Sequence, residues 1–503
     1  MNNQELRQLF DKLCNKLFVH LPNPLDYIDQ INNLVFLKFL EDKDDVNAAI
    51  LKHKKNGKSF KSLFEGQAGK YRFSFWSRNP DPKAMLKFVR DELFPYFTEQ
   101  IPGDDREPIR RFFSDTRFMI HDELVFLEII DIIRPINFCK LDADVLGDAY
   151  EYLLERLSSS KRLGSFRTPR HIIRTIVEMV NPKLGDTVLD PACGTAGFLL
   201  AAYEHIATAN SSEIEEKTLL NGQKYNFGHG DKLSPEQWKY LEHETFYGFD
   251  TDPTMVRIAT MNMLLHGLND AQIIRRDSVA GGADEFEKKQ FDVILTNPPF
   301  AGEIAENRIR SYLPVQTKDS TILFLGLVMK SLKDGGTAGI IVNEGLLFTR
   351  NNAAKEIRRM LLEKMDLQAV VSLPQGVFNP YAGVKTSFLV FKNTGKPTKK
   401  VWFYEIENDG FSKGTQRHPT PEKNDIPDLL SKWPKKLESE KSWVVERKKI
   451  EENDYILTAS SYKTGVGTDE LHREPKEIWI DLEKFISQEE AERQRIKELL
   501  DLK

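Results

Sequence analysis

The tetrapeptide Asn297-Pro298-Pro299-Phe300 follows Asp292-Val293-Ile294-Leu295-Thr296, which reads as a strand entering a crevice. Two prolines fix the backbone there and leave carbonyls that cannot join a ladder. The Asn297 side-chain oxygen and the Pro298 carbonyl are then expected to aim at one spot. Two acceptors on one NH₂ group hold its hydrogens and concentrate its lone pair. Phe300 offers a face on which a planar ring can stack. The bland alternative is a proline-terminated strand. Three other strand ends weigh against it.

The first is Val188-Leu189-Asp190-Pro191-Ala192-Cys193-Gly194-Thr195-Ala196-Gly197-Phe198. A strand ending in Asp190, then a glycine-bearing turn, then an apolar helix is how an open α/β sheet makes a ligand crevice. Gly194 and Gly197 let the backbone approach a bound group closely. The spacing matches neither a dinucleotide fingerprint nor a phosphate loop. An ordinary strand–helix turn is the alternative. The second strand ends at Asp250, in Tyr247-Gly248-Phe249-Asp250, where an acid can accept hydrogen bonds from ribose hydroxyls. A helix cap is the alternative there, but Asp252 suits that role better. The third ends at Asp277, which could accept from an exocyclic amine such as adenine N6 or serve as a solvated cap.

These residues need a scaffold that places strand ends side by side. From about 185 onward, β-rich runs alternate with helical stretches: Thr187–Asp190, Phe246–Asp250, Gln272–Asp277, Phe291–Asn297 and Ala338–Asn343. The alternation predicts an α/β fold with a parallel sheet and helices on both faces. Ala369–Leu373 and Ser387–Phe391 are joined by a turn-rich stretch, which predicts an antiparallel edge hairpin. The first ~160 residues read as helical. Ile28, Ile31, Leu34, Val35 and Phe39 form one apolar face behind Pro22 and Pro24, and the charged run Glu41–Asp45 is expected to follow that helix. Leu124–Ile133 is a second apolar patch, and Leu146, Tyr150, Leu153 and Leu154 mark a third helix. Beyond about 400 the chain turns polar and Lys-rich, broken by Pro419, Pro421, Pro427 and Pro434. Ser487 with Glu490 reads as a capping box opening a last helix. The expected division is 1–160 helical, 161–400 catalytic and 401–503 a C-terminal region.

Composition narrows the function classes. The chain has 503 residues, which suggests about three domains. Lys plus Arg is 71 against 76 Asp plus Glu, a net charge of −5. A wholesale basic protein is excluded, though a local basic groove is not. Hydrophobic residues at 40% suffice for large cores. The longest clean apolar run, Thr321–Met329, is far short of the ~20 residues that span a bilayer. The N-terminus lacks an apolar signal core. Cys14, Cys139 and Cys193 are too scattered for a disulfide framework or zinc ribbon, so a reducing cytoplasm is expected.

Asp190-x-x-x-Gly194-x-x-Gly197-Phe198 together with Asn297-Pro298-Pro299-Phe300 resembles the S-adenosylmethionine-dependent amino-methyltransferases of DNA, adenine N6 type. Gly164-Ser165-Phe166-Arg167-Thr168-Pro169-Arg170 is similar to the cofactor motif that precedes the first strand in their gamma order. More of the chain, roughly 25 to 410, resembles the modification subunit of type I restriction–modification systems. The flanking matches are Leu34–Leu40, Leu146–Leu153 and Leu373-Pro374-Gln375-Gly376-Val377-Phe378. One departure is Ala196, where many relatives carry glycine.

The resemblance implies a Rossmann-like methyltransferase sheet behind an all-helical N-terminal domain. It implies that S-adenosylmethionine is held by Ser165, Phe166, Arg167, Thr168, Pro169 and Arg170 and by Ala192, Gly194, Thr195, Ala196 and Gly197. Asp190 would sit near its amino group, Asp250 on its ribose and Asp277 on its adenine amine. Asn297, Pro298, Pro299 and Phe300 would hold a target adenine flipped out of double-stranded DNA. The sulfonium methyl is already activated, so no metal is expected. Only ~100 residues follow position 400, so target reading is expected to fall to a separate specificity subunit, with a restriction subunit in the full complex and two copies of this chain. Ser487–Leu502 is a candidate docking element. Two rivals use the same evidence: a protein-glutamine or ribosomal-RNA guanine methyltransferase, and a catalytically silent DNA-binding scaffold.

Overall fold

A computed structural model of the chain describes residues 3–53, 62–101, 107–114, 116–141, 150, 152–153, 168–219, 221–268, 270–282, 286–300, 302–379, 383–414 and 417–463. The chain divides into two compact units, Met1–Ala459 and Ser460–Lys503; the elements that build the site belong to the first. The expected Ser487 capping box and the candidate docking element Ser487–Leu502 lie outside the described residues.

The N-terminal part is helical, and no strand precedes Val188 among the described residues. Pro24 opens the helix Pro24–His53, at a position where its missing N–H costs no hydrogen bond. Ile28, Ile31, Leu34 and Val35 are buried along one face, as their spacing predicts. The helix does not end before Glu41–Asp45 but runs through it. The carboxylates of Glu41, Asp42 and Asp44 point inward and satisfy loop donors, while Asp45 stays exposed. Asp44 accepts from Leu63 N and Ser62 Oγ, each at 2.7 Å, Glu41 from Ser74 N at 2.8 Å, and Asp42 from Phe138 N at 2.8 Å. Three acids of a run expected to follow the helix are thus held inside it by hydrogen bonds. Of the third expected helix, Tyr150, Tyr152 and Leu153 are described; Tyr150 donates to Asn32 Oδ1 at 2.8 Å.

The strands, in chain order, are β1 (Val188–Asp190), β2 (Glu215–Thr218), β3 (Lys224–Phe227), β4 (Phe246–Asp250), β5 (Gln272–Arg275), β6 (Phe291–Thr296), β7 (Leu332–Asn343), β8 (Asp366–Ser372), β9 (Thr386–Lys392), β10 (Lys400–Glu405), β11 (Asp409–Phe411), β12 (Pro419–Asn424) and β13 (Ser442–Glu446). Nine of them form one sheet, in the order β13-β10-β8-β9-β7-β6-β1-β4-β5. β1 pairs parallel with both β4 and β6, and β4 with β5 and β6 with β7 are also parallel. The chain builds one side of β1 first and then returns to build the other. That reversal puts a crevice at the carboxyl ends of β1 and β6.

The β8–β9 pair is antiparallel, as the turn-rich connection predicts. It is not at the edge, however, because β10 and β13 lie outside it. The sheet therefore continues past position 400. β10 is a short apolar run, Val401-Trp402-Phe403-Tyr404, buried on both faces within Lys-rich surroundings. A polar average hid it.

The helix Pro253–Leu265 joins the two parts. Val256, Ala259 and Met263 pack into the sheet's core, while Met255, Ile258, Met261, Leu264 and Leu265 complete the core of the helical part. Arg257 forks onto Asp29, with Nε–Oδ1 at 2.7 Å and Nη2–Oδ2 at 3.0 Å, both residues buried. Burial outweighs the pairing and pushes the Asp29 carboxyl up. Such a pair adds little net stability but strongly disfavours any docking that separates it.

Candidate active site

Asp190 ends β1 at 2% exposure. Its Oδ1 accepts from Thr296 Oγ1 at 2.7 Å and from Ala192 N at 3.1 Å. Asp250 ends β4; its Oδ2 accepts from Gly194 N at 3.1 Å and its Oδ1 from Asp252 N at 2.9 Å. No Lys, Arg or His pairs with either carboxylate among the described residues. Burial, reinforced by Asp250 nearby, pushes the Asp190 carboxyl up to about 7. Burial raises Asp250 as well. Two adjacent acids, Asp190 buried and Asp250 half-buried, without a cation between them form a socket that favours a positively charged group.

The turn between them is shaped for close approach. Gly194 has φ +51°, and a Cβ there would meet nothing within 4 Å, so open space lies above it. A Cβ on Gly197 would strike Ile173 Cδ1 at 2.9 Å, so that glycine serves packing of the Gly197–Ala209 helix. Ala196 caps this helix in the left-handed region, φ +65°, a conformation that favours glycine. Asn262 Nδ2 donates to Thr195 O at 2.8 Å, tying the turn to the helix that bears Arg257. A cationic cofactor with sugar hydroxyls fits this donor and acceptor set.

Asp252, not Asp250, caps the Pro253–Leu265 helix by accepting from Thr254 N at 2.8 Å. Asp277 lies beyond the end of β5. Its Oδ1 accepts from Ala280 N at 2.9 Å and Val279 N at 3.2 Å, and Arg308 stands 3.8 Å from Oδ2. Asp277 Oδ1 thus closes a turn on two following N–H groups, no helix starts there among the described residues, and what could face an amine is the Oδ2 side.

Across the crevice, Asn297 follows β6. Its Nδ2 donates to Thr168 Oγ1 at 2.8 Å, while its Oδ1 is buried with no partner among the described residues. Pro298 is buried and Pro299 exposed. Phe300 is half-buried, its ring edge-on to Phe378 at 5.9 Å. Asn343 Nδ2 reaches Phe300 O at 3.4 Å and Thr321 Oγ1 at 3.2 Å, fastening the loop to the end of β7.

Of the segment expected to precede the cofactor, Ser165, Phe166 and Arg167 lie outside the described residues. Thr168 is buried, Pro169 caps the helix Arg170–Val180, and Arg170 begins it. Thr168 touches Asn297, which the sequence did not foretell. The supporting roles of Thr296, Asn262 and Asn343 were also missed. Phe378 was quoted only for its family likeness. No group of three His, Cys, Asp or Glu arranged to hold a metal occurs among the described residues. The three cysteines are free, and no helix there is long and apolar enough to cross a membrane.

The family model described as N-6 DNA Methylase matches residues 141–470, and that of the HsdM N-terminal domain matches residues 6–133. The EcoEI methylase subunit of a type I restriction enzyme from Escherichia coli is 34% identical over 346 residues, covering 67% of this chain and 66% of that protein. The StySJI methylase subunit from Salmonella typhimurium is 27% identical over 445 residues, 84% of this chain and 76% of that protein. The crystal structure of a modification subunit of a putative type I restriction enzyme from Vibrio vulnificus has a TM-score of 0.69 at 26% identity, covering 89% of this chain and 93% of that one. A chain from a structural study of type I restriction–modification assembly reaches a TM-score of 0.73 at 29% identity, covering 99% of each chain. With the strand-end acids, the Asn-Pro-Pro-Phe turn and the helical part all in the matched segments, this chain belongs to the N-6 DNA methylase family, among the modification subunits of type I restriction–modification systems.

Proposed function

We propose that the chain methylates the N6 amine of an adenine flipped out of double-stranded DNA, using S-adenosylmethionine, with the target sequence set by a separate specificity subunit. The observation that carries this is the Asn297 Oδ1, three residues before Phe300, buried and without a partner among the described residues. An orphaned buried acceptor costs roughly 1–3 kcal/mol. A ligand NH₂ would relieve that cost, and a ring would stack on Phe300.

Asp190 would hold the cationic end of the cofactor, Asp250 its ribose, and the backbone of Gly194–Gly197 its methionine part; Asp277 is the candidate for its adenine amine. Bound S-adenosylmethionine supplies an electrophilic methyl group on a sulfonium. Asn297 Oδ1 and the Pro298 carbonyl would each accept one N6 hydrogen, fixing the amine and stabilising the positive charge that grows on nitrogen as it attacks. Phe300 would hold the base plane. No metal enters this scheme. We also propose a restriction subunit in the full complex, in keeping with relatives named as methylase subunits of type I restriction enzymes, two copies of this chain per specificity subunit, and a cytoplasmic setting.

Asn297→Ala tests the assignment. Methyl transfer should fall by ~10²-fold or more while cofactor affinity stays within about twofold. Transfer at near wild-type rate would mean that Asn297 does not hold the target.

A further inference from the structure

An asparagine amide presents oxygen on one side and two N–H donors on the other, and a half-turn exchanges them. Only the oxygen-outward state can receive an NH₂ group; the reversed state would set donors against donors. The partner that the Asn297 amide nitrogen finds is the Thr168 hydroxyl at 2.8 Å, which leaves the amide oxygen as the atom without a partner among the described residues. Thr168 is 7% exposed. It immediately precedes Pro169, which restricts its backbone to extended conformations. Pro169 O in turn accepts from Ile172 N at 3.0 Å and Ile173 N at 3.1 Å. The helix that follows is buried through Ile172, Ile176 and Val177, and His171 Nε2 lies 2.9 Å from Asp409 Oδ2. The hydroxyl is therefore mounted on a rigid element of its own, 129 residues from Asn297 in the chain.

We infer that Thr168 is a positioning residue for methyl transfer: it anchors the Asn297 amide nitrogen and so turns the amide oxygen toward the target amine. This goes beyond a cofactor contact for the Thr168 segment, and it rests on the proposed role of Asn297. Thr168→Val keeps shape and removes the acceptor. The amide nitrogen then loses its buried partner, and the oxygen-outward state loses its advantage. Thr168→Ser keeps the hydroxyl.

The test is single-turnover transfer of labelled methyl groups from saturating S-adenosylmethionine to DNA by the full chain in its complex, with cofactor affinity measured by calorimetry. Thr168→Val should slow transfer by about ten- to a hundredfold, the range for one aligned hydrogen bond at a reacting centre. Because transfer is read at saturating cofactor, a change in affinity at Thr168 is separated from the transfer rate, and retained cofactor binding shows that the variant folds. Thr168→Ser should transfer within about threefold of wild type. Wild-type transfer by Thr168→Val would overturn the inference. So would weakened cofactor binding with normal transfer at saturation, which would make Thr168 a cofactor contact only. Wild-type transfer by Asn297→Ala is a separate result: it removes the parent assignment itself, whatever Thr168→Val does.

Discussion

Neutralising Asp190 should separate the electrostatics of the cofactor socket from its shape. In the empty chain this carboxyl titrates near pH 7, because burial disfavours its charge and Asp250 adds to that effect. A cationic cofactor end favours the ionised form, so binding above pH 7 meets a ready carboxylate, and binding below it must first expel a proton. With a pKa of about 7, only about one chain in eleven is ionised at pH 6 and about ten in eleven at pH 8. Affinity for S-adenosylmethionine should therefore be about tenfold weaker at pH 6 than at pH 8, with proton release on binding near pH 6.5. The stability of the empty chain should move the opposite way. A carboxyl raised above its ordinary 3.8 contributes stability that is complete below that value and gone once the pH passes about 7. From this group, Tm of the empty chain should fall as pH rises from about 5 to 7.5. Asp190→Asn keeps an oxygen for Thr296 Oγ1 and Ala192 N. It should flatten both profiles, stabilise the empty chain at pH 8, and weaken cofactor binding by roughly 10–100-fold. Calorimetry in buffers of different ionisation heat reads affinity and proton release together. Equal wild-type affinity at pH 6 and pH 8, or an unchanged slope in Asp190→Asn, would refute the reasoning.

Asp250→Ala should weaken S-adenosylmethionine binding by roughly 10–100-fold, since a charge-assisted ribose contact is lost; unchanged affinity by calorimetry would remove Asp250 from the site. Ala196→Gly should relieve the left-handed backbone at φ +65°, raising stability by up to ~1 kcal/mol after the entropic cost of glycine, whereas a β-branched residue there should lower Tm. Purified alone, the chain should bind S-adenosylmethionine yet methylate DNA poorly and without sequence choice, because its net charge of −5 gives no general surplus for phosphates. Adding the specificity subunit should create site-specific adenine methylation, and deleting Ser487–Lys503 should impair that assembly more than cofactor binding; robust site-specific methylation by the isolated chain would contradict this division of labour.

Much of the site was legible because its signals are local. A strand-ending acid, a glycine turn and an Asn-Pro-Pro-Phe run each carry their chemistry within a few neighbouring residues. Strands β1, β4, β5, β6, β7, β8 and β9 follow from short apolar runs and the turns that bound them. What the residues lacked was any statement of which ends meet. Thr296 lies 106 residues from Asp190, and Thr168 lies 129 from Asn297; only the closing of β6 onto β1 and the docking of the Arg170–Val180 helix bring them within hydrogen-bond reach. The same holds for charge. Glu41, Asp42, Asp44 and Asp190 are ordinary acids in composition, and it is burial, against loop N–H donors in one case and beside Asp250 in the other, that makes one set a structural clamp and the other a carboxyl poised near neutrality. β10 and β13 escaped notice for a related reason: such strands need only a few apolar residues, and the edges that select them lie elsewhere in the chain, β8 some thirty residues before β10, and β10 itself for β13. Side-chain type and spacing are properties of the chain, but dielectric surroundings and long-range register come into being only when the sheet assembles.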